Sequence, residues 1–358
     1  MDTKPTDNEA TALRPENPGG IDTAGRAGTP VQITLNAVLA ALEDNEPKVL
    51  CVTRGDSPLA LPYGPFDPRE HRTFELGLRD WVTRQTQLSL GYVEQLYTFG
   101  DRGREGLGRS LDTPLEHLVS VGYLALAAAA APVDDADARW RSWYRFFPWE
   151  DWRSGKPALL TDAILPALGQ WVKSADGQTR EQRRARVETA FGQQNLHWEE
   201  ERILERFELM YEVGLVGERR ASRTAIEKSA PNEDGLAART GLPMVSDHRR
   251  ILATAIARLR GKLKYRPVIF QMMGPAFTLL DLQRSVEAIV GFALHKQNFR
   301  RSVEATGLLV RTGTLSDQTG GRPAALFRVD RDALQNRADM GLVIPRLVHK
   351  PTGRRPTE

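Results

Sequence analysis

His295, Lys296, Gln297, Asn298, Arg300 and Arg301 crowd the start of one short amphipathic stretch, and their chemistry is that of a groove reader. The amides of Gln297 and Asn298 can each offer a donor and an acceptor to a base edge. Lys296, Arg300 and Arg301 can neutralise phosphates and release counterions. Phe299 and Val303 lie four apart between them and can face a core. Thr278 and its neighbouring amides can hold a phosphate at a helix N-terminus. Arg311 and Arg322 flank a Gly-rich loop that can approach a nucleic-acid backbone closely. A second set, Arg54, Tyr63, Arg69, Arg72, Phe99, Arg102 and Arg104, combines cations for phosphates with aromatics for stacking. That composition suits a nucleotide effector, although Arg102 and Arg104 read equally as loop charges. No residue is assigned a catalytic or metal-binding role.

The elements that must position the first set are legible locally. Thr278 precedes an apolar periodic run and Asp281 follows three residues later, the spacing of a capping box. Phe277 and Leu282 occupy the positions of a hydrophobic staple. Leu279, Leu282, Val286 and Ile289 repeat at helical spacing. Gly291 loosens the chain before a second helix, over about 295–306, which Gly307 closes as a C′ glycine. Segments 308–311 and 324–329 are expected strands, joined by a loop with Gly313, Gly320, Gly321 and Arg322. Helix, turn, helix and hairpin spell a winged helix-turn-helix for duplex DNA. The alternative is a solvated basic helix face; the caps and hairpin together favour DNA.

Charge supports the same division. Residues 241–358 hold 20 Lys+Arg against 9 Asp+Glu, a formal +11, whereas residues 1–240 hold 29 against 37, a formal −8. A basic module joined to an acidic one is the electrostatic footprint of nucleic-acid binding. The chain has 358 residues, enough for two or three domains. Its one cysteine, Cys51, excludes an intramolecular disulfide framework and any multi-Cys zinc site; it sits in an apolar run and is expected to be buried. No charged n-region and apolar h-region open the chain, and the Ala-rich run 123–131 is too short to span a bilayer, so the expectation is a cytoplasmic protein without membrane contact.

The fold expected is α+β with several domains: a tail over 1–30, a Nudix-like α/β/α sandwich over 31–132, a helical aromatic-rich extension over 133–240, a winged helix-turn-helix over 241–335 and a C-terminal tail over 336–358. Val31–Leu42 and Val49–Val52 are strand candidates, with Asp44-Asn45 turning the chain between them. Residues 61–88, LPYGPFDPREHRTFELGLRDWVTRQTQL, resemble a Nudix box in outline, with Gly64 and Glu70 at its first two positions, a helix over 74–85 and a closing Thr-x-Leu. The box chemistry needs paired glutamates late in the helix to gather Mg²⁺. Arg84 and Gln85 align best with them, and an arginine repels the metal. Glu70 and Glu75 without that pair fit a solvated helix face.

Gln95–Asp101, Phe277–Leu279, Asn298–Arg301 and Gly321–Ala324 match in order the pattern of the Nudix-related regulators of NAD metabolism, the NrtR-type family, which this chain resembles over most of 31–126 and 250–330. The segment 140–157, WRSWYRFFPWEDWRSGKP, and the stripe Ile203, Phe207, Met210 and Tyr211 resemble the longer NadQ-type regulators of alphaproteobacteria. The aromatics are expected to form a core linking two domains, with a nucleotide pocket or dimer seam as the sharper reading. The resemblance implies a homodimeric repressor of NAD biosynthesis or salvage genes, bound to a palindromic double-stranded operator. No cofactor is required; an adenine nucleotide, NAD, ADP-ribose or ATP, would act as effector on a catalytically inactive Nudix-like domain. Two other classes stay open at this stage: an active Nudix hydrolase of ADP-ribose-type substrates fused to a DNA-binding domain, and a protein–protein scaffold using the aromatic segment.

Overall fold

Strand β1 (Val31–Glu43) is the spine of the N-terminal sheet. It pairs in parallel with β5 (His117–Leu126) and antiparallel with β2 (Glu46–Val52) and β3 (Tyr63–Pro65). The path is completed by β4 (Val93–Phe99) beside β5 and β6 (Ala138–Ser142) beside β2, giving the order β4-β5-β1-β2-β6. The computed structural model describes residues 31–53, 58–101, 117–128, 133, 137–194, 196–219, 235–316 and 323–336. Asp44 and Asn45 turn β1 into β2 with φ of 51° and 59°, the left-handed pair that a tight hairpin demands.

A strand in the middle of a covered sheet is apolar on both faces, and β1 reads that way. Leu35, Ala37 and Leu39 pack with Leu78 and Val82 of α1 (Phe74–Thr86). Val38, Ala40 and Leu42 point to the other side, into a larger core. That core takes in the extension helices α2 (Leu165–Lys173), α3 (Gly177–Phe191) and α4 (Ile203–Val213). After a short α5 (Leu236–Arg239) comes the long α6 (His248–Tyr265), which buries Ile251, Leu252, Ile256, Leu259 and Leu263 at helical spacing. The sheet therefore lies between two helical layers, and Cys51 is buried in it. Burial pushes the Cys51 thiol up to about 12.

Packing crosses both expected boundaries. Residues 138–142, placed with the extension from sequence, are an edge strand of the sheet. Helix α6, placed with the winged helix, packs on β1, β4, β5 and α4 as well as on the helix that follows it. The C-terminal part adds α7 (Leu279–Val290), α8 (Lys296–Thr306), α9 (Arg331–Asn336) and a small sheet. That sheet orders β7 (Phe277–Thr278), β9 (Ala324–Val329) and β8 (Leu309–Ser316) as β7-β9-β8. No helix among the described residues is long and apolar enough to cross a membrane.

The aromatic segment is core, as the linking reading expected. Trp143, Phe146, Phe147 and Trp149 are all buried, and Phe207 meets Phe147 edge-on at 6.1 Å. In their midst sits a charge. Glu150 receives Arg206 in a two-point pair, 2.6 Å to Oε1 and 2.9 Å to Oε2, and Arg260 Nη1 at 2.7 Å. Arg260 Nε also donates to Ile289 O at 2.9 Å, and the Tyr144 hydroxyl to Ala288 O at 2.7 Å, so both reach the last turn of α7. Burial alone would raise the Glu150 carboxyl pKa; the charges and hydrogen bonds of Arg206 and Arg260 outweigh it and hold the group below the ordinary carboxylate value.

Gly291 closes the junction. Its φ of +86° is left-handed, and a Cβ there would stand 2.5 Å from Glu150 O and 3.1 Å from Arg260 Nη2. Two outcomes follow. Glu150→Gln leaves two buried guanidiniums without their anion and lowers stability by roughly 3–5 kcal/mol in urea titration. Because the folded value of Glu150 is depressed, its contribution is present above the unfolded carboxylate value and is lost as pH falls through the folded one; the variant lacks that part of the acid destabilisation. Gly291→Ala is also destabilising, through clash and backbone strain together, and shows in the same titration.

Candidate nucleic-acid interface

Local chemistry fixes the helix pair. The Thr278 hydroxyl accepts from Asp281 N at 3.1 Å, while the Asp281 carboxylate accepts from Thr278 N at 2.9 Å and from the Thr278 hydroxyl at 2.8 Å. This is the expected capping box. It also removes Thr278 from the phosphate-holding role anticipated for it. The side chain is buried, its oxygen serves as donor and acceptor within the cap, and an anion already stands at the helix end.

His295 caps α8, accepting from Asn298 N at 3.5 Å, and Gly307 ends it at φ +63°. Phe299, Val303 and Thr306 are buried against the domain, while Lys296, Gln297, Asn298, Arg300 and Arg301 are all exposed. Lys296, Arg300 and Arg301 form no ion pair among the described residues. Five polar side chains thus stand free on one face of a helix whose opposite face is anchored. That arrangement can enter a groove without rearranging the protein. Arg311 is exposed on β8, its guanidinium 5.8 Å from the Phe327 ring centre. A register shift between Arg311 and Leu315, with Gly313 at φ +85°, bends the wing strand there. Arg322 lies outside the described residues.

The second set is less concentrated. Arg54, Arg102 and Arg104 lie outside the described residues. Arg69 and Arg72 are exposed in the loop before α1. Tyr63 turns its ring edge-on to His248 at 4.8 Å. Phe99 is a core residue, 2% exposed, with the Arg250 guanidinium 4.9 Å from its ring centre; it packs the sheet instead of presenting a face for stacking.

Helix α1 carries neither late glutamate. The Gln85 side chain clamps the Tyr63 backbone, accepting from its N–H at 3.0 Å and donating to its carbonyl at 2.6 Å. Arg84 pairs with Asp80 at 2.7 Å and lies over Trp81. Asp80 also meets His71 at 3.1 Å, and Glu75 is held by Arg79 at 2.8 Å. Gly64 fits flat against Trp81, where a Cβ would stand 2.1 Å from the ring. Asp80 and Glu75 are thus both engaged in pairs within the loop and helix. Among the described residues no group of three or more His, Cys, Asp or Glu is placed to hold a metal ion.

Sequence reasoning missed the Glu150 junction. A signal was present: Arg206 interrupts the apolar stripe of α4, and Arg260 sits between Ile256, Leu259 and Leu263 on α6. A charge at a core position of a helix requires a buried partner.

The chain is thus α+β, with a Nudix-like N-terminal domain and a C-terminal winged helix domain. Residues 269–329 match the family model of the NrtR DNA-binding winged helix domain. Over 110 residues, 31% of the chain, the sequence is 37% identical to the ADPR responsive transcriptional repressor NtrR of Acinetobacter baylyi; the match spans 41% of that relative's length. Similar solved structures include Shewanella oneidensis NrtR complexed with a 27mer DNA, at 20% identity over 85% of this chain and 95% of that one, with a TM-score of 0.48. The NUDIX domain of the same protein complexed with ADP ribose aligns at 26% identity over 34% of this chain and 77% of that one, with a TM-score of 0.27.

If α8 enters a DNA groove, its exposed face is expected to make two kinds of contact. Gln297→Ala or Asn298→Ala costs about 1–3 kcal/mol on the preferred duplex and leaves random DNA unchanged. Arg300→Ala or Arg301→Ala weakens both and flattens the plot of log affinity against log salt by about 0.9 each. Fluorescence anisotropy on the two duplexes at several salt concentrations checks both outcomes.

Proposed function

We propose that this protein is a DNA-binding transcriptional repressor whose Nudix-like domain senses an adenine nucleotide of the ADP-ribose class. The observation that carries the reading is the anchored α8, with Gln297 and Asn298 flanked by exposed Lys296, Arg300 and Arg301 that form no ion pair among the described residues. The family match over the same residues and the repressor relative support it. NAD, ADP-ribose and ATP share the adenosine and phosphate groups that cations such as Arg69 and Arg72 would bind, together with Arg54, Arg102 and Arg104. ADP-ribose is favoured among them, because the relative is described as responsive to it.

The proposal extends to targets and assembly. The repressed genes would be those of NAD biosynthesis or salvage, and the resemblance of the aromatic extension to the NadQ-type regulators supports that reading. Half-sites of a palindrome would be met by two α8 helices of a homodimer about one helical turn apart, in the cytoplasm. The Nudix-like domain is non-catalytic in this reading, since Arg84 and Gln85 occupy the positions that would gather Mg²⁺. A ligand acts on such a protein only by preferring one of two arrangements. The contacts of Arg260 and Tyr144 with the end of α7 are where an arrangement of the sheet domain would be felt by the winged helix.

The test is binding of the purified protein to the promoter of an NAD-synthesis operon, titrated with ADP-ribose, NAD and ATP at fixed salt. Specific binding changed by ADP-ribose is the expected result. Equal affinity for promoter and random DNA would overturn the reading. Incubated with Mg²⁺ and ADP-ribose, the protein releases no AMP; turnover would instead establish the hydrolase.

A further inference from the structure

The residues that follow the aromatic core run directly against the helix-turn-helix. The Trp152 N–H donates to Gly291 O at 2.6 Å, and Trp152 forms a parallel bridge with Phe292. Its indole N–H is spent on Trp149 O at 3.0 Å, and its ring lies 4.5 Å from that of Trp198. The chain then turns: Gly155, at φ +105°, donates back to Trp152 O at 3.0 Å. The turn brings the ammonium of Lys156 over the Trp152 ring, 5.8 Å from its centre. A lysine is thereby held beside the turn that leads into α8. It is exposed and has no carboxylate partner among the described residues. Its neighbour Arg153 is occupied, by Asp151 at 2.8 Å and Glu46 at 2.7 Å.

A helix-turn-helix enters the major groove with the N-terminal residues of its second helix. Groups beside that end face the phosphates that border the groove, and such contacts set register and orientation. Lys156 is carried by the extension on a loop whose Trp152 is hydrogen-bonded to Gly291, in the turn between α7 and α8. The aromatic contact holds the stem of the side chain and leaves the ammonium free toward solvent.

We propose that Lys156 is a phosphate contact of the DNA interface, supplied by the aromatic extension from outside the winged helix. The footprint of this chain on DNA is then wider than residues 269–329 alone provide. The proposal rests on the DNA-binding reading above.

The test uses the full chain. Duplexes are selected by the parent from a random-sequence library, and affinity is then followed against salt for the parent, Lys156→Ala, Lys156→Arg and Arg301→Ala. Lys156→Ala is expected to keep the parent melting temperature and to flatten the plot of log affinity against log salt by about 0.9, equally for selected and random duplexes. Lys156→Arg restores the parent slope. A parent slope in Lys156→Ala, with Arg301→Ala flattened, overturns this proposal and leaves the DNA-binding reading standing. A library that yields no duplex overturns both.

Discussion

One buried carboxylate organises this molecule. Glu150 sits in a core of tryptophan and phenylalanine and is shared by Arg206 of α4 and Arg260 of α6. Neither a lone carboxylate nor a lone guanidinium is tolerated in such surroundings, because the loss of hydration is not returned by apolar neighbours. Together the three groups pair with one another, and most of their remaining donors are taken by backbone carbonyls, Arg260 Nη2 being the exception. Arg206 reaches Ala190 O and Glu199 O; Arg260 reaches Glu200 O and Ile289 O. The extension, the long helix on the sheet and the end of α7 are thereby held to a single point. A buried pair of this kind adds little net stability over an apolar core of the same shape. Its effect is to make every other arrangement of those elements costly.

The second constraint is Gly291, which ends α7 and starts the turn into α8. It is needed twice, for its left-handed φ and for the absence of a Cβ against Glu150 O. The same residue accepts the Trp152 backbone hydrogen bond. The polar face of α8 is therefore aimed by contacts that belong to the N-terminal part of the chain as well as by the winged helix. This gives the proposed sensing a physical route: α6 touches the sheet along its length and α7 through Arg260, so a displacement of one is transmitted to the other. The Nudix-like helix α1 stands on the opposite face of the sheet, where Gln85 ties it to β3 and Arg84 to Asp80.

How much of this was legible in the sequence depends on the range of the interaction. The capping box at Thr278 and Asp281, the C′ glycine at 307, and the turn at Asp44-Asn45 involve residues within a few positions of one another, and they stand where their spacing put them. The apolar run of β1 and the stripe of α4 were visible because burial on both faces of a strand, or on one face of a helix, imposes its pattern on the sequence. The site assignments fared differently. Thr278 was a good cap and a plausible phosphate ligand, and one hydroxyl cannot be both. Phe99 belongs to a strand whose period says that one face is buried without saying which. Boundaries at 132 and 240 followed composition, whereas packing carried β6 into the sheet and α6 across it.

The sequence by itself determined the local elements, their caps and turns, and the amphipathic helix whose polar face carries Lys296, Gln297, Asn298, Arg300 and Arg301. Those features depend on contacts along the chain, so neighbouring residues specify them. Only the tertiary structure decided that Glu150 would meet Arg206, 56 residues away, and Arg260, 110 away, and that Trp152, under Lys156, would meet Gly291. No local spacing encodes such pairs. They arise because folding must bury the aromatic segment, and once it is buried each charge within it accepts only the partners that packing brings into reach.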